Sequence, residues 1–277
     1  MKQIKRIYKV YKFSLNLDKV PQYSDDKLET QFRKKVHSIE NANKKRRFDF
    51  FSTMMARALF VETKKRDIIS KDELEWAENI LYSKPRLMSE APQQNKEYAN
   101  LLNLLQTRRS VRCWINEEVS MDKFELMIDA ARWAPSSCNR QPWHFLITND
   151  KDKIELLYKL RGQKIIKDAP YCILILMNKE AYQYNNQAMV TYYMLLDAAA
   201  AIENLLLMAH SLGLGACWVN LAPDNITESV EVQIRGRFGI PNSYELVTII
   251  PIGKTVDSPT PPGRKDIDDI MHVENFH

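Results

Sequence analysis

The sequence predicts an α+β sandwich, with helices packed on a central sheet, preceded by a segment that is helical throughout. Three observations predict it. Residues 1–100 contain no glycine, and apolar residues there recur at three-to-four spacing, as in Leu28, Phe32, Val36 and Ile39. A polar stretch from Ser83 to Asn95, carrying Pro85 and Pro92, then reads as a linker. Beyond it, short apolar runs of strand length alternate with helical patterns, a mixed order that calls for helices on a sheet. We place the boundary near residue 95, with 1–95 as extension and linker and 96–277 as the second module.

In the extension, helices are expected at about 25–42, 46–62 and 71–82. Ser70 with Glu73 three residues on has the spacing of a capping box for the last of these. In the second module a helix at about 97–107 leads into Arg108-Arg109-Ser110-Val111-Arg112. The next, about 121–133, shows Phe124, Met127, Ile128 and Ala131 on one face, with Ser120 placed to cap it and Pro135 to end it. Trp143–Thr148 reads as a strand, 151–160 as a helix, and Tyr171–Met177 as a strand apolar on both faces. A long apolar helix, about 188–212, is stopped by Gly213 and Gly215. Ala216–Leu221 reads as a short strand, 226–237 as a helix, and Glu245–Gly253 as the last strand.

Bulk properties exclude several classes. With 277 residues and 45% apolar content the chain can bury a large core. Cys113, Cys138, Cys172 and Cys217 stand apart without a C-x-x-C pair, the usage of free thiols in a reducing compartment. No apolar run of signal-peptide length follows Met1-Lys2, so a cytoplasmic location is expected. Residues 189–209 are nearly all apolar, yet Asp197, Glu203 and Asn204 interrupt them. That pattern suits a helix buried in protein or between two subunits better than one in lipid. The net charge of +5 comes from residues 1–100, which hold 22 Lys+Arg against 14 Asp+Glu. A solvated helical face accounts for this, with a protein partner or an anionic surface as the alternatives; nucleic acid is not expected.

Familiar chemistries are missing. No G-x-G-x-x-G follows a strand, which removes support for a Rossmann nicotinamide site. Gly253-Lys254-Thr255 resembles the tail of a phosphate loop, but position 248 is Thr and Pro259, Pro261 and Pro262 forbid the following helix. There is no H-E-x-x-H, no G-x-S-x-G and no His/Cys cluster for a metal. Asn225-Ile226-Thr227 matches a glycosylation sequon that a cytoplasmic protein would not present. His144 lies in an apolar strand and reads as structural.

Three segments carry positive signals. Arg108, Arg109 and Arg112 surround Ser110, and guanidinium forks beside a hydroxyl suit a phosphate monoester; such a helix end is also common as plain solvated surface. Ala134-Pro135-Ser136-Ser137-Cys138-Asn139-Arg140-Gln141-Pro142-Trp143 is a proline-stiffened loop of short hydrogen-bonding side chains, fit for the polar edge of a planar heterocycle or for an ordinary connection. Pro251-Ile252-Gly253-Lys254 leads into a proline-rich arm ending in Gly263-Arg264-Lys265, which can cross a partner subunit and return positive charge to a site, or form a tethered basic tail.

Taken in order, R-R-S-V-R, A-P-S-S-x-N-x-Q-P-W, S-L-G-L-G-A at 211–216, G-I-P at 239–241 and the P-I-G strand with Gly-Arg-Lys resemble the flavin-binding nitroreductase family over about 170 residues. The resemblance implies a three-layer sandwich around a mostly antiparallel sheet, and a homodimer with FMN at the subunit interface. It also implies ping-pong electron transfer from NAD(P)H through FMN to a small organic acceptor, nitroaromatic or quinone-like, with the chemistry on the flavin. Arg108, Ser110 and Arg112 would contact the FMN phosphate, ribityl chain and pyrimidine edge, helped by Arg109, and Arg264 or Lys265 would complete the phosphate grip. Pro135, Ser136 and Ser137 would come from the neighbouring subunit, Asn139 from either chain. Cys217-Trp218-Val219-Asn220 would supply contacts near the reactive edge, here assigned to Val219 and Asn220. The interval from Asn178 to Gln187 is short for a substrate lid, and the extension is foreign to minimal members. Alternatives are an FMN-binding sensor or partner-docking protein without NAD(P)H turnover, and a side branch that removes halogen or destroys flavin.

Overall fold

Leu28, Phe32, Val36 and Ile39 line one stripe of helix α1 (Asp25–Lys44), and none is more than 4% exposed. The computed structural model describes residues 16–44, 50–82, 98–221, 228–256 and 259–276. The stripe packs against Ala56, Leu59 and Phe60 of α2 (Phe50–Arg66) and Ala77 and Leu81 of α3 (Lys71–Tyr82), giving the extension its own small core. Burial of each large side chain stabilises by about 1.5–3 kcal/mol. Charged groups then fix the helices: Arg33 of α1 reaches Glu29 at 2.9 Å and Glu73 of α3 at 2.6 Å. The expected capping box is present, with Glu73 N donating to Ser70 Oγ and Ser70 N to the Glu73 carboxylate. The expected linker, 83–95, lies outside the described residues.

In the second module α4 (Tyr98–Thr107), α5 (Met121–Arg132), β1 (Trp143–Thr148), α6 (Lys151–Arg161), α7 (Lys164–Asp168), β2 (Tyr171–Asn178) and α8 (Gln187–Ser211) follow in order. After them come β3 (Leu214–Ala216), β4 (Val219–Asn220), α9 (Glu228–Phe238) and β5 (Tyr244–Lys254). The sheet runs β1-β2-β5-β3, with β4 also on β5, and every named pair is antiparallel. Every residue of β2 is buried. Its alternate side chains face two cores: Ile173, Ile175 and Met177 meet α5 and α8, while Cys172, Leu174 and Leu176 meet α6, α7 and α9. This is the expected three-layer arrangement. Asp150 caps α6 by accepting from Asp152 N and Lys153 N, and Gly162 closes it at φ 69°.

Four local expectations are corrected. Ser120 holds the N-cap position of α5, but its hydroxyl makes no capping bond. Gly213 ends α8 at φ 73°, whereas Gly215 is a strand residue needed for close packing. The single strand expected at 216–221 is two: Cys217 N still donates to Pro251 O, but proline has no N–H to complete the ladder opposite Cys217-Trp218. Short α7 follows Gly162 where none was expected. The apolar helix α8 is long and apolar enough to cross a membrane by length and composition, but 44% of its most apolar window is buried against the fold.

The extension rests on one corner of the sheet module. α1 lies against the turn at Ser137–Asn139 and the turn at Lys179–Ala181, and Asn178 Nδ2 donates to Asp26 Oδ2 at 3.3 Å.

Candidate functional site

At the β3 edge of the sheet three of the sequence segments meet. Leu214, Gly215 and Ala216 pair with Lys254, Gly253 and Ile252. Ser110 bridges Ala216 in parallel, and Val111 N donates to Ala216 O at 3.0 Å. Trp114 Nε1 donates to Gly215 O at 2.7 Å, and Cys217 N to Pro251 O at 3.1 Å. The approach is close enough to need glycine: a Cβ on Gly215 would lie 2.6 Å from Val111 Cγ1 and 2.8 Å from Thr255 Cγ2. So the R-R-S-V-R segment is held by backbone, and its side chains are left to do other work.

Those side chains form a cationic group with little neutralisation. Arg108 Nε lies 3.5 Å from Glu203 of α8. Arg109 donates to the carbonyls of Gln106 and Arg108, and Arg112 to that of Ser110; among the described residues neither is bonded to a carboxylate. The field reaches nearby groups. Burial holds the His210 imidazole below its ordinary value, and the charges of Arg108 and Arg109 push the same way. Burial raises the Cys217 thiol against an opposing pull from Arg112 and Arg108. Arg112, Cys217 and the half-exposed Trp218 line a cavity of about 470 Å³ with Gln163, Lys164 and Ile165. Val219 is buried and its carbonyl accepts from Thr248 Oγ1; Asn220 is exposed and its carbonyl accepts from Arg161.

The second segment lies on the other side of the sheet, before β1. In its short helical turn Cys138 and Asn139 have φ of 53° and 52°, and Gln141 has 50°. Left-handed backbone at three non-glycine residues is strained and must be held by its surroundings. Ser137 N donates to Asp197 Oδ1 at 2.8 Å, and Ser136 Oγ accepts from Gln141 N at 3.0 Å. Arg140, 2% exposed, donates to Ser137 O and Oγ, and its guanidinium sits over the rings of Tyr182 and Tyr184. Pro135 is exposed, while Ser136, Ser137 and Asn139 are partly so.

Residues 108–112 and 135–139 are thus not brought together within one chain. β1 and β3 are opposite edges, three strand spacings or about 14 Å apart. Among the described residues neither Arg264 nor Lys265 is bonded to the arginine segment: residues 260–271 are exposed, and Arg264 donates to the Pro262 and Gly263 carbonyls. His144 is exposed at the β1 rim, its Nε2 3.3 Å from the Tyr244 hydroxyl. A larger cleft of about 630 Å³ beside Trp114 takes in none of the expected site residues, and its Lys167 and Glu155 pair at 2.9 Å.

Sequence reasoning did not assign Asp197, Tyr182 or Arg140 to the site. The signal was there for Asp197, a carboxylate in the middle of an apolar helix. It is 5% exposed, and burial pushes its pKa up, opposed by the Tyr182 and Ser137 hydrogen bonds and the Arg140 charge. Burial and the Asp197 contact likewise raise the Tyr182 hydroxyl.

The fold is that of solved nitroreductases. The structure titled FMN-dependent nitroreductase from Clostridium difficile R20291 superposes with a TM-score of 0.53 at 32% identity, covering 63% of this chain and 99% of that one. In sequence, the "Putative NADH dehydrogenase/NAD(P)H nitroreductase" of Methanothermobacter thermautotrophicus is 30% identical over 180 residues, 64% of this chain and 88% of its own. Mouse iodotyrosine deiodinase 1 is 29% identical over 239 residues, 73% of this chain and 81% of its own. Residues 105–161 and 153–254 match the Nitroreductase family, and the chain belongs to it.

Proposed function

We propose that residues 96–277 bind FMN at the interface of a homodimer and carry electrons from NAD(P)H to a small organic acceptor, in a cytoplasmic enzyme. One observation supports the reading: the arginine segment and the 135–139 loop stand at opposite edges of one sheet, an arrangement in which each of two chains can supply one half of a shared site. The residues fit the cofactor. Arg108, Arg109 and Arg112 form a largely unneutralised cationic group beside Ser110, the donor set a phosphate monoester takes. FMN supplies hydride acceptance and electron release when bound.

In this reading Arg108, Ser110 and Arg112, with Arg109, hold the phosphate and ribityl end, and Arg264 or Lys265 closes over it from the arm. Pro135, Ser136, Ser137 and Asn139 present their polar groups to the ring of the partner's cofactor. Val219 and Asn220 shape the floor below Trp218. The dimer face is supplied by apolar side chains left in water: Leu101 of α4, Trp133 after α5, and Tyr192 and Leu196 of α8 are 51–75% exposed. The arm adds Ile267, Val273 and Phe276, at 68–89%.

Anaerobic addition of NADH or NADPH to the purified protein tests the reading, which expects the visible flavin band to bleach; no bleaching with either donor overturns turnover by nicotinamide. A second reading, reductive removal of halogen from an aromatic ring, is favoured by the deiodinase alignment, which covers 73% of the chain against 64% for the nitroreductase relative. Two electrons and one proton then replace the C–I bond by C–H and release iodide. Iodide release from iodotyrosine by the chemically reduced protein supports that reading, and its absence removes it.

A further inference from the structure

The 135–141 loop is held from beneath by a buried polar cluster whose central member is Asp197. Its Oδ1 accepts from Ser137 N at 2.8 Å and its Oδ2 from the Tyr182 hydroxyl at 2.7 Å. Arg140, the largest fully buried side chain, clasps the same residue from the other side, giving bonds of 2.7 Å to Ser137 O and 2.8 Å to Ser137 Oγ. Its Nε has no hydrogen-bond partner among the described residues, and the guanidinium is aimed by its contacts to Ser137 and the Tyr182 and Tyr184 rings, at 5.8 Å and 5.4 Å. Ser137 therefore has its amide, carbonyl and hydroxyl all fixed. The next residues, Cys138 and Asn139, take left-handed backbone with φ of 53° and 52°.

Burying two charged groups, Asp197 and Arg140, is a poor way to gain stability, since well-packed apolar residues commonly do as well. Strained backbone persists where its geometry is used. Both features fall on the one loop whose outward face is expected at the cofactor. We propose that Asp197 is a positioning residue: from α8 it locks Ser137, with Tyr182 and Arg140, so that the 135–139 segment is presented to the flavin in one fixed conformation. The inference rests on the FMN reading above and adds residues that do not themselves touch the cofactor.

The test uses full-length protein stripped of flavin and titrated with FMN, with the affinity and the flavin midpoint potential as readouts. Wild-type protein that binds no FMN would overturn the cofactor reading and this inference with it. Asp197→Leu removes the acceptor, and the expected result is FMN binding weaker by about tenfold or more, on the order of one lost hydrogen bond to a charged group. Asp197→Asn keeps an oxygen for Ser137 N and is expected to recover affinity to within about threefold of wild type, a rescue that mere core stability would not give. Equal affinity and potential in wild type and Asp197→Leu overturns the proposal, whatever happens to the melting temperature. If Asp197→Leu does not fold, Tyr182→Phe decides: a shifted potential with weaker FMN binding supports the role, and unchanged values overturn it.

Discussion

At the β3 edge the site is organised by backbone: a parallel bridge at Ser110, strand pairing at Gly215 and Gly253, and an indole bond from Trp114. On the β1 side the loop is organised by side chains, with Asp197, Arg140 and Tyr182 gripping Ser137 in a strained turn. The first arrangement leaves Arg109 and Arg112 without a carboxylate partner among the described residues and Arg108 with one at 3.5 Å, so charge remains to meet an anion. The second engages its charged groups internally and leaves Ser136, Ser137 and Asn139 partly exposed in a fixed conformation. The difference teaches how the two ends of one cofactor would be served, a phosphate needing uncommitted charge and a planar ring needing fixed geometry.

The largest expected effect comes from removing charge at the first edge. Arg108→Ala with Arg264→Ala deletes two charge-assisted contacts, each about 1.5–3 kcal/mol, and the purified protein should be colourless; stoichiometric FMN retained through purification would reject those roles. Gly215→Ala breaks the backbone organisation instead. A Cβ 2.6 Å from Val111 should cost about 1–3 kcal/mol by overpacking, lowering the melting temperature, while adding Val111→Ala should recover part of it. A melting temperature equal to wild type would show that the segment is not clamped there.

On the side-chain-organised edge the corresponding perturbation is a proton. Burial raises the Asp197 carboxyl above its ordinary 3.8, so its contribution to stability is full below that value and is lost as pH rises through the raised one. Asp197→Asn should therefore flatten the difference in unfolding free energy across that window. Parallel wild-type and variant curves would contradict the sign. The smallest effect concerns reporters. Cys113 follows Arg112 and Cys138 sits in the loop, both exposed, while burial raises Cys172 to about 12. A thiol reagent should modify the first two and reach Cys172 only on unfolding, and FMN should slow the reaction of both. Fast labelling of Cys172 in the folded protein would disagree with its place in β2, facing the core under α6 and α7.

Much of this was legible in the sequence where a local rule sufficed. The α1 stripe, the Ser70–Glu73 box and the doubly buried β2 each follow from spacing or composition over a dozen residues, and the structure contains them. The arginine segment was legible as chemistry. What sequence could not supply was the partner of each backbone group. Cys217-Trp218 interrupts a strand opposite Pro251, which has no N–H to complete the ladder, a fact about a residue some thirty positions on. Arg140 lies in a loop by sequence, and α1 from earlier in the chain together with Tyr182 and Tyr184 from later in it cover that loop. Asp197 announced itself as a misfit in an apolar helix without saying what it held.

The central claim is that each site draws its arginine segment from one chain and its loop from the other. Co-expression of two differently tagged variants tests it most directly: Arg108→Ala with Arg112→Ala on one, Ser136→Trp on the other. Each homodimer should be without flavin. The purified heterodimer concentrates both lesions in one site and leaves the second intact, so the account predicts one FMN for each pair of chains. A heterodimer as colourless as its parents would contradict it, because each chain would then be building its own site.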